Sequence, residues 1–96
     1  MHVISKRKLR DFWQLYPDSE SALMTWYREA KQAEWGTFAE VRNSFNSVDQ
    51  VGQFTVFNIG GNKYRLIADI HFNRGKVFVR HVLTHQEYDR GRWQDD

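Results

Sequence analysis

From Lys6 to Ala33 the apolar residues recur three and four positions apart: Leu9, Phe12, Trp13 and Tyr16, then Leu23, Trp26, Tyr27 and Ala30. That period is helical, and each stripe predicts one buried face. Val3 and Ile4 precede the first stripe as a short strand, Ser5 stands at its N-cap, and Pro17-Asp18-Ser19 separates the two stripes. Two helices packed as an antiparallel pair are expected, with Gly36 ending the second. Thr37 and Glu40 have capping-box spacing, which predicts a short third helix carrying Phe38, Val41 and Phe45.

From Phe54 onward the period changes to two. Tyr64, Leu66, Ala68, Ile70 and Phe72 alternate with Lys63, Arg65, Ile67, Asp69 and His71, which predicts a strand with the first set on the core face. Gly60-Gly61-Asn62 closes one hairpin before it and Asn73-Arg74-Gly75-Lys76 another after it. With Arg74 and Gly75 as the central pair, Phe72 falls opposite Val77, Ile70 opposite Val79 and Leu66 opposite Leu83. The second face then shows Arg65, Asp69, Arg80 and Thr84, with Asp69 opposite Arg80, and stays open to a ligand. The chain reads as one α+β domain over residues 1–96, an antiparallel sheet with two N-terminal helices on one face and a short C-terminal helix.

Composition narrows the class. The 96 residues suffice for one core, supplied by four Trp, four Tyr and seven Phe. The absence of cysteine excludes a disulfide framework or thiolate metal site. No apolar run approaches the roughly 18 residues of a membrane span, and Met1-His2-Val3-Ile4-Ser5-Lys6 has no signal-peptide core, so a cytoplasmic protein with no membrane partner is expected. The net charge of +2 conceals an asymmetry. Acids dominate from Asp11 to Asp49, whereas Lys63, Arg65, Arg74, Lys76, Arg80, Arg90 and Arg92 outnumber the acids around them, a pattern suited to a polyanion.

Chemistry concentrates at the C-terminal end. Thr84 and Glu87 have capping-box spacing, which places His85 in the first turn of a short helix and Tyr88 one turn later on the same side. The helix terminus and nearby arginines favour the neutral imidazole that a general base needs. Arg65 and Arg80 interrupt apolar strands, and a charge buried there needs a partner. Asp69 can pair with Arg80 across the strands, and planar guanidinium groups also match phosphate oxygens. Asn58 and Asn62 flank the glycine turn, where turn formation and RNA contact compete as explanations. Lys63, Arg65, Lys76 and Arg80 are expected to form a cationic face. Opposite faces for His71 and His81 argue against a metal site, and Trp93 beside Arg90 and Arg92 is expected to be exposed for stacking or anchoring.

The chain resembles the HigB toxins of bacterial toxin–antitoxin systems, which share the RelE-like fold of messenger-RNA endonucleases. The likeness rests on Met1-His2-Val3-Ile4-Ser5, the Leu9 helix and the Tyr16-Pro17 break. It is most specific in Val56-Phe57-Asn58-Ile59-Gly60-Gly61-Asn62 with Tyr64-Arg65-Leu66, and in Thr84-His85-Gln86-Glu87-Tyr88-Asp89. It implies a ribosome-dependent ribonuclease that needs no metal or other cofactor and is neutralised by a HigA-like helix-turn-helix antitoxin. On this chain it implies His85 and Tyr88 as proton-transfer groups and Arg65 and Arg80 as phosphate stabilisers. Asn62 and Lys63 become RNA contacts. Two rival functions share the same residues. One is a non-catalytic RNA- or ribosome-binding module, and the other a toxin that blocks a protein such as DNA gyrase, for which an acid-base pair beside arginines is superfluous.

Overall fold

The alternating segment becomes the body of a mixed sheet. The computed structural model describes residues 1–95. Its five strands are β1 (His2–Ile4), β2 (Asp49–Val51), β3 (Phe54–Ile59), β4 (Tyr64–His71) and β5 (Lys76–Thr84), arranged in the order β1-β5-β4-β3-β2. β2 through β5 pair antiparallel, but β1 runs parallel to β5, with Val3 beside Val77. The expected α+β class holds, and β1 adds one parallel pair to the antiparallel sheet that the sequence predicts. Between β1 and β5 lie all the N-terminal helices and three strands, a connection long enough to return the chain in the same direction. Among the described residues no helix is long and apolar enough to cross a membrane.

The helices follow their stripes. α1 (Lys6–Leu15), α2 (Glu20–Gln32) and α3 (Phe38–Ser44) join the sheet in burying Leu9, Leu23, Trp26, Val41, Phe57 and Leu66 in the main core. Ser5 occupies the first N-cap without a side-chain bond to the helix. α2 ends at Gln32 rather than at Gly36, since Ala33 is already extended. Gly36 serves the next helix instead, donating its amide to Glu40 Oε1 at 3.1 Å while Thr37 Oγ1 accepts from the Glu40 amide at 3.4 Å.

Both hairpins form, and the second changes the register. The loop before β5 holds four residues: Phe72–Arg74 make a 3₁₀ turn, Gly75 takes φ +65°, and His71 and Lys76 are the first pair outside it. Phe72 packs on the core, which favours this turn over continuation of the strand. Ile70 therefore lies opposite Val77, and Asp69 opposite Phe78. A bulge follows. Ala68 pairs with Val79 but Ile67 pairs with His81, so Arg80 is the extra residue. The insertion puts Val82, not Leu83, opposite Leu66 and turns Thr84 to the side of Tyr64. Despite the altered register, Arg80 Nη2 still reaches Asp69 Oδ2 at 3.5 Å.

The face expected to be open is partly roofed. A second cluster of Val56, Ile67 and Trp93 lies there, supported by Val51, Phe54, Leu83 and Tyr88. Trp93, expected to be exposed, is 4% accessible and donates its indole N–H to the Tyr88 carbonyl at 3.1 Å. Burying one indole contributes on the order of 4–6 kcal/mol before ordering costs, large beside a total stability of about 5–15 kcal/mol. The C-terminal segment is therefore an integral layer. Sequence reading missed it because Ile67 interrupts a polar face and needs a cover that only a distant residue can provide.

At the other end of β4, Tyr64 ties the sheet to the break between α1 and α2. Its hydroxyl donates to Asp18 Oδ1 at 2.6 Å, and Lys63 Nζ lies 3.1 Å from Asp18 Oδ2. The bond to Asp18 is the leading cause that raises the Tyr64 hydroxyl from 10.0 to about 12, and the same bond leads in lowering the Asp18 carboxyl. An unfolded tyrosine ionises first as pH rises. The Tyr64 contribution is therefore complete below pH 10 and lost between pH 10 and about 12, while that of Asp18 is lost as acid protonates the folded carboxylate. Tyr64→Phe is expected to lower the melting temperature at neutral pH and to flatten the loss of stability between pH 10 and 12. Melting curves at stepped pH check this, and parallel curves for parent and variant would contradict it.

Candidate active site

Two chain segments meet at the glycine end of the β3–β4 hairpin. Ile59 pairs with Tyr64, leaving a four-residue turn in which Gly60 and Gly61 have φ of +62° and +69°. Such values favour glycine. Next to the turn begins α4 (His85–Arg90), closed by the capping box the sequence predicts. Thr84 Oγ1 accepts from the Glu87 amide at 3.2 Å, and Glu87 Oε1 accepts from the Thr84 amide at 2.9 Å. The His85 amide donates to the Lys63 carbonyl at 3.1 Å, which fixes the start of α4 against the turn.

Arg65 joins the two segments. It is 8% exposed, and its guanidinium donates to the carbonyls of Asn62 and Tyr64 at 3.2 and 3.1 Å and to Asn62 Oδ1 at 3.3 Å. It also lies 5.4 Å from the ring centroid of Tyr88, which stacks on Trp93 at 5.3 Å and 14°. This cation–aromatic stack sets the height of α4 over the sheet. Asn58, the cross-strand neighbour of Arg65, completes this side.

His85 and Tyr88 share one side of α4, as their spacing predicts. The imidazole Nδ1 of His85 lies 2.9 Å from Asp89 Oδ2, and 47% of its side chain is accessible. The carboxylate faces Nδ1, which leaves Nε2 as the nitrogen turned to a substrate for proton exchange. Sequence reading passed over Asp89, although its i,i+4 spacing from His85 is the signal that finds it.

The structure separates other expected partners. Lys63 turns toward Asp18. Arg80 is exposed, lies 5.5 Å from the Phe78 ring centroid and accepts a hydrogen bond from Lys8 Nζ at its carbonyl, 3.0 Å away. Four strand residues lie between Arg80 and His85, about 16 Å along β5 from one Cα to the other. Lys76, beside His2 and His71, is farther still. The bulge also corrects the placement of His71 and His81: they share the face that carries Ile67 and Asp69 rather than opposing each other. They remain about 13 Å apart along the sheet, too far to ligate one ion. His71 instead approaches Asp69 at 3.4 Å.

Replacement of Arg65 by alanine leaves the Asn62 side chain and two carbonyls without their donor. Arg65→Ala is expected to cost roughly 1–3 kcal/mol in urea unfolding. It should also raise near-ultraviolet signal changes from Tyr88 and Trp93. An unchanged unfolding midpoint would show that the guanidinium does not hold these elements together.

Comparison with known proteins agrees with this architecture. A family model described as HigB toxin, the RelE-like toxic component of a toxin–antitoxin system, matches residues 19–91. An mRNA interferase HigB of Escherichia coli O6:H1 is 36% identical over 93 residues, covering 94% of this chain and 90% of that protein. The mRNA interferase toxin HigB of Escherichia coli K12 is 30% identical over 92 residues, covering 93% and 88%. The matched span takes in the Arg65 turn, the bulged strand and all of α4, and on this ground the chain belongs to the HigB toxins, the RelE-like toxic components of toxin–antitoxin systems.

Proposed function

We propose that the chain is a metal-independent endoribonuclease that cleaves messenger RNA on the translating ribosome in the cytoplasm and thereby arrests growth. The observation that carries this reading is His85, half-exposed and held by Asp89 on the same side of α4 as Tyr88. His85 Nε2 removes the proton of a ribose 2′-hydroxyl, and the 2′-oxygen bonds to the adjacent phosphorus as the bond to the 5′-oxygen breaks. Tyr88 orients the group and relays a proton to the departing 5′-oxygen. A neutral phenol is a poor base beside an imidazole, which leaves the basic role to His85. Asn62 and Asn58 border the RNA path.

The two arginines take different roles in this reading. Arg65 is committed to Asn62, Tyr64 and Tyr88, so it positions the proton-transfer helix rather than clamping phosphate. Arg80 stands further along β5 and binds the strand at a neighbouring nucleotide. Lys63 and Lys76 border the surface through charge alone.

A messenger-RNA cleavage assay with ribosomes tests the reading. His85→Ala is expected to reduce cleavage roughly 100-fold to 10,000-fold while leaving the melting temperature close to that of the parent. Asp89→Asn should fall between the two, because it keeps the shape but not the charge that orients the ring. Chelation of divalent ions should leave cleavage of a minimal RNA substrate unchanged. A folded His85→Ala protein that still cleaves would remove His85 from the chemistry, and one that arrests growth without any cleavage would favour a ribosome-binding module.

The partner is expected to be a HigA-like helix-turn-helix antitoxin. Co-expression with the product of the neighbouring gene should give a stable complex and restore growth. A toxic chain that this product neither binds nor restrains would contradict the pairing.

A further inference from the structure

α4 has a second side that the proposed chemistry does not use. His85, Tyr88 and Asp89 occupy one side of this helix, while Glu87 and Arg90 follow one another at i,i+3 on the other. There a cavity of about 250 Å³ is lined by His81, Leu83, Glu87, Arg90, Arg92 and Trp93. A second, of about 370 Å³, is lined by Lys8, Arg80 and His81 together with Gln53 and Phe54. His81 lines both, so the two are neighbours along the margin of the Trp93 roof and are treated together as one groove.

We infer that this groove binds the phosphodiester backbone of single-stranded RNA next to the nucleotide at His85. The inference rests on the ribonuclease reading above. Lys8, Arg80, Arg90 and Arg92 are all exposed and drawn from three separate stretches of chain. Against them stands one carboxylate among the described lining residues, Glu87, whose oxygen already accepts from the Thr84 amide. Asp69, at 3.5 Å, offsets part of the Arg80 charge. A groove with such an excess of cations attracts a polyanion, and the ring of Phe54 adds an apolar wall. The width of a helix, about 10 Å, separates the groove from the side of α4 that bears His85. One extended strand can therefore cross α4 and occupy both. The Arg80 bulge contributes directly, because it brings Arg80 and His81 together at the junction of the two cavities.

Binding of an unstructured fluorescent RNA oligonucleotide, measured by anisotropy over a range of salt, tests the inference. The His85→Ala background keeps the RNA intact. Adding Lys8→Ala, Arg90→Ala and Arg92→Ala together is expected to lower the slope of log affinity against log salt by about two units, as removal of three phosphate contacts on a single strand predicts. Arg92→Glu alone should weaken binding in the same direction, and Arg28→Ala with Arg42→Ala, on the helical side, should leave the slope unchanged. Equal slopes and affinities for the triple variant and its background would overturn the groove. So would a polyglutamate peptide that binds more tightly than RNA through the same cations, which would assign the groove to an acidic protein segment. The two readings fail separately. A parent chain that binds RNA through these residues but never cleaves it would retain the groove and lose the nuclease, whereas cleavage with a slope indifferent to them would do the reverse.

Discussion

The cost of burying one guanidinium organises the active end of this protein. Arg65 sits in a strand covered on both faces, and at 8% exposure it cannot leave its N–H groups to water. The chain answers with the glycine turn, which folds back far enough to present both the carbonyl and the side-chain oxygen of Asn62, and with Tyr88, whose ring covers the cation. Tyr88 in turn stacks on Trp93 and accepts its indole hydrogen bond through the main chain. Turn, C-terminal helix and roof are thus coupled through one side chain. His85 inherits its position from that coupling.

The same coupling explains why cationic and apolar residues are mixed on one face of the sheet. Val56 and Ile67 require cover, and Trp93 provides it at the centre, which leaves charged residues to the margins. A regular ladder would send Leu83 into the main core and Arg80 to a simple cross-strand position. The bulge instead gives Val82 to the core and Leu83 to the roof, and it collects Arg80 and His81 at the edge of the groove. Packing of the roof and display of charge therefore depend on one inserted residue.

Local signals were legible in the sequence, and coupled ones were not. The helical stripes, both hairpins and the Thr84–Glu87 capping box depend on residues within a few positions of each other, and they appear close to where the pattern places them. The short strand β2 was missed because three residues carry too little period to announce it. A bulge is invisible to alternation because the strand is equally apolar on both sides of it. Trp93 followed two arginines and looked exposed, since nothing near it in the chain reveals the apolar patch on β3 and β4 that it covers. Arg65 was recognised as needing a partner, but phosphate was the expected partner and the adjacent turn is the observed one. Asp89 was within reach of sequence reasoning, since a carboxylate four residues beyond a histidine on a helix is a local feature.

A helix of six residues is too short to be stable alone, yet α4 holds His85 and Tyr88 in fixed relation to the sheet. Its stability comes from outside: the reciprocal capping box at one end, the Lys63 carbonyl at its first amide, and the Tyr88–Trp93 stack beneath it. Support from below leaves the flanks free. One flank carries His85 and Asp89, the other Arg90, and a longer helix buried along more of its circumference would have fewer accessible sides to offer. Shortness is then what allows α4 to stand between His85 on one flank and the cavity lined by Glu87 and Arg90 on the other.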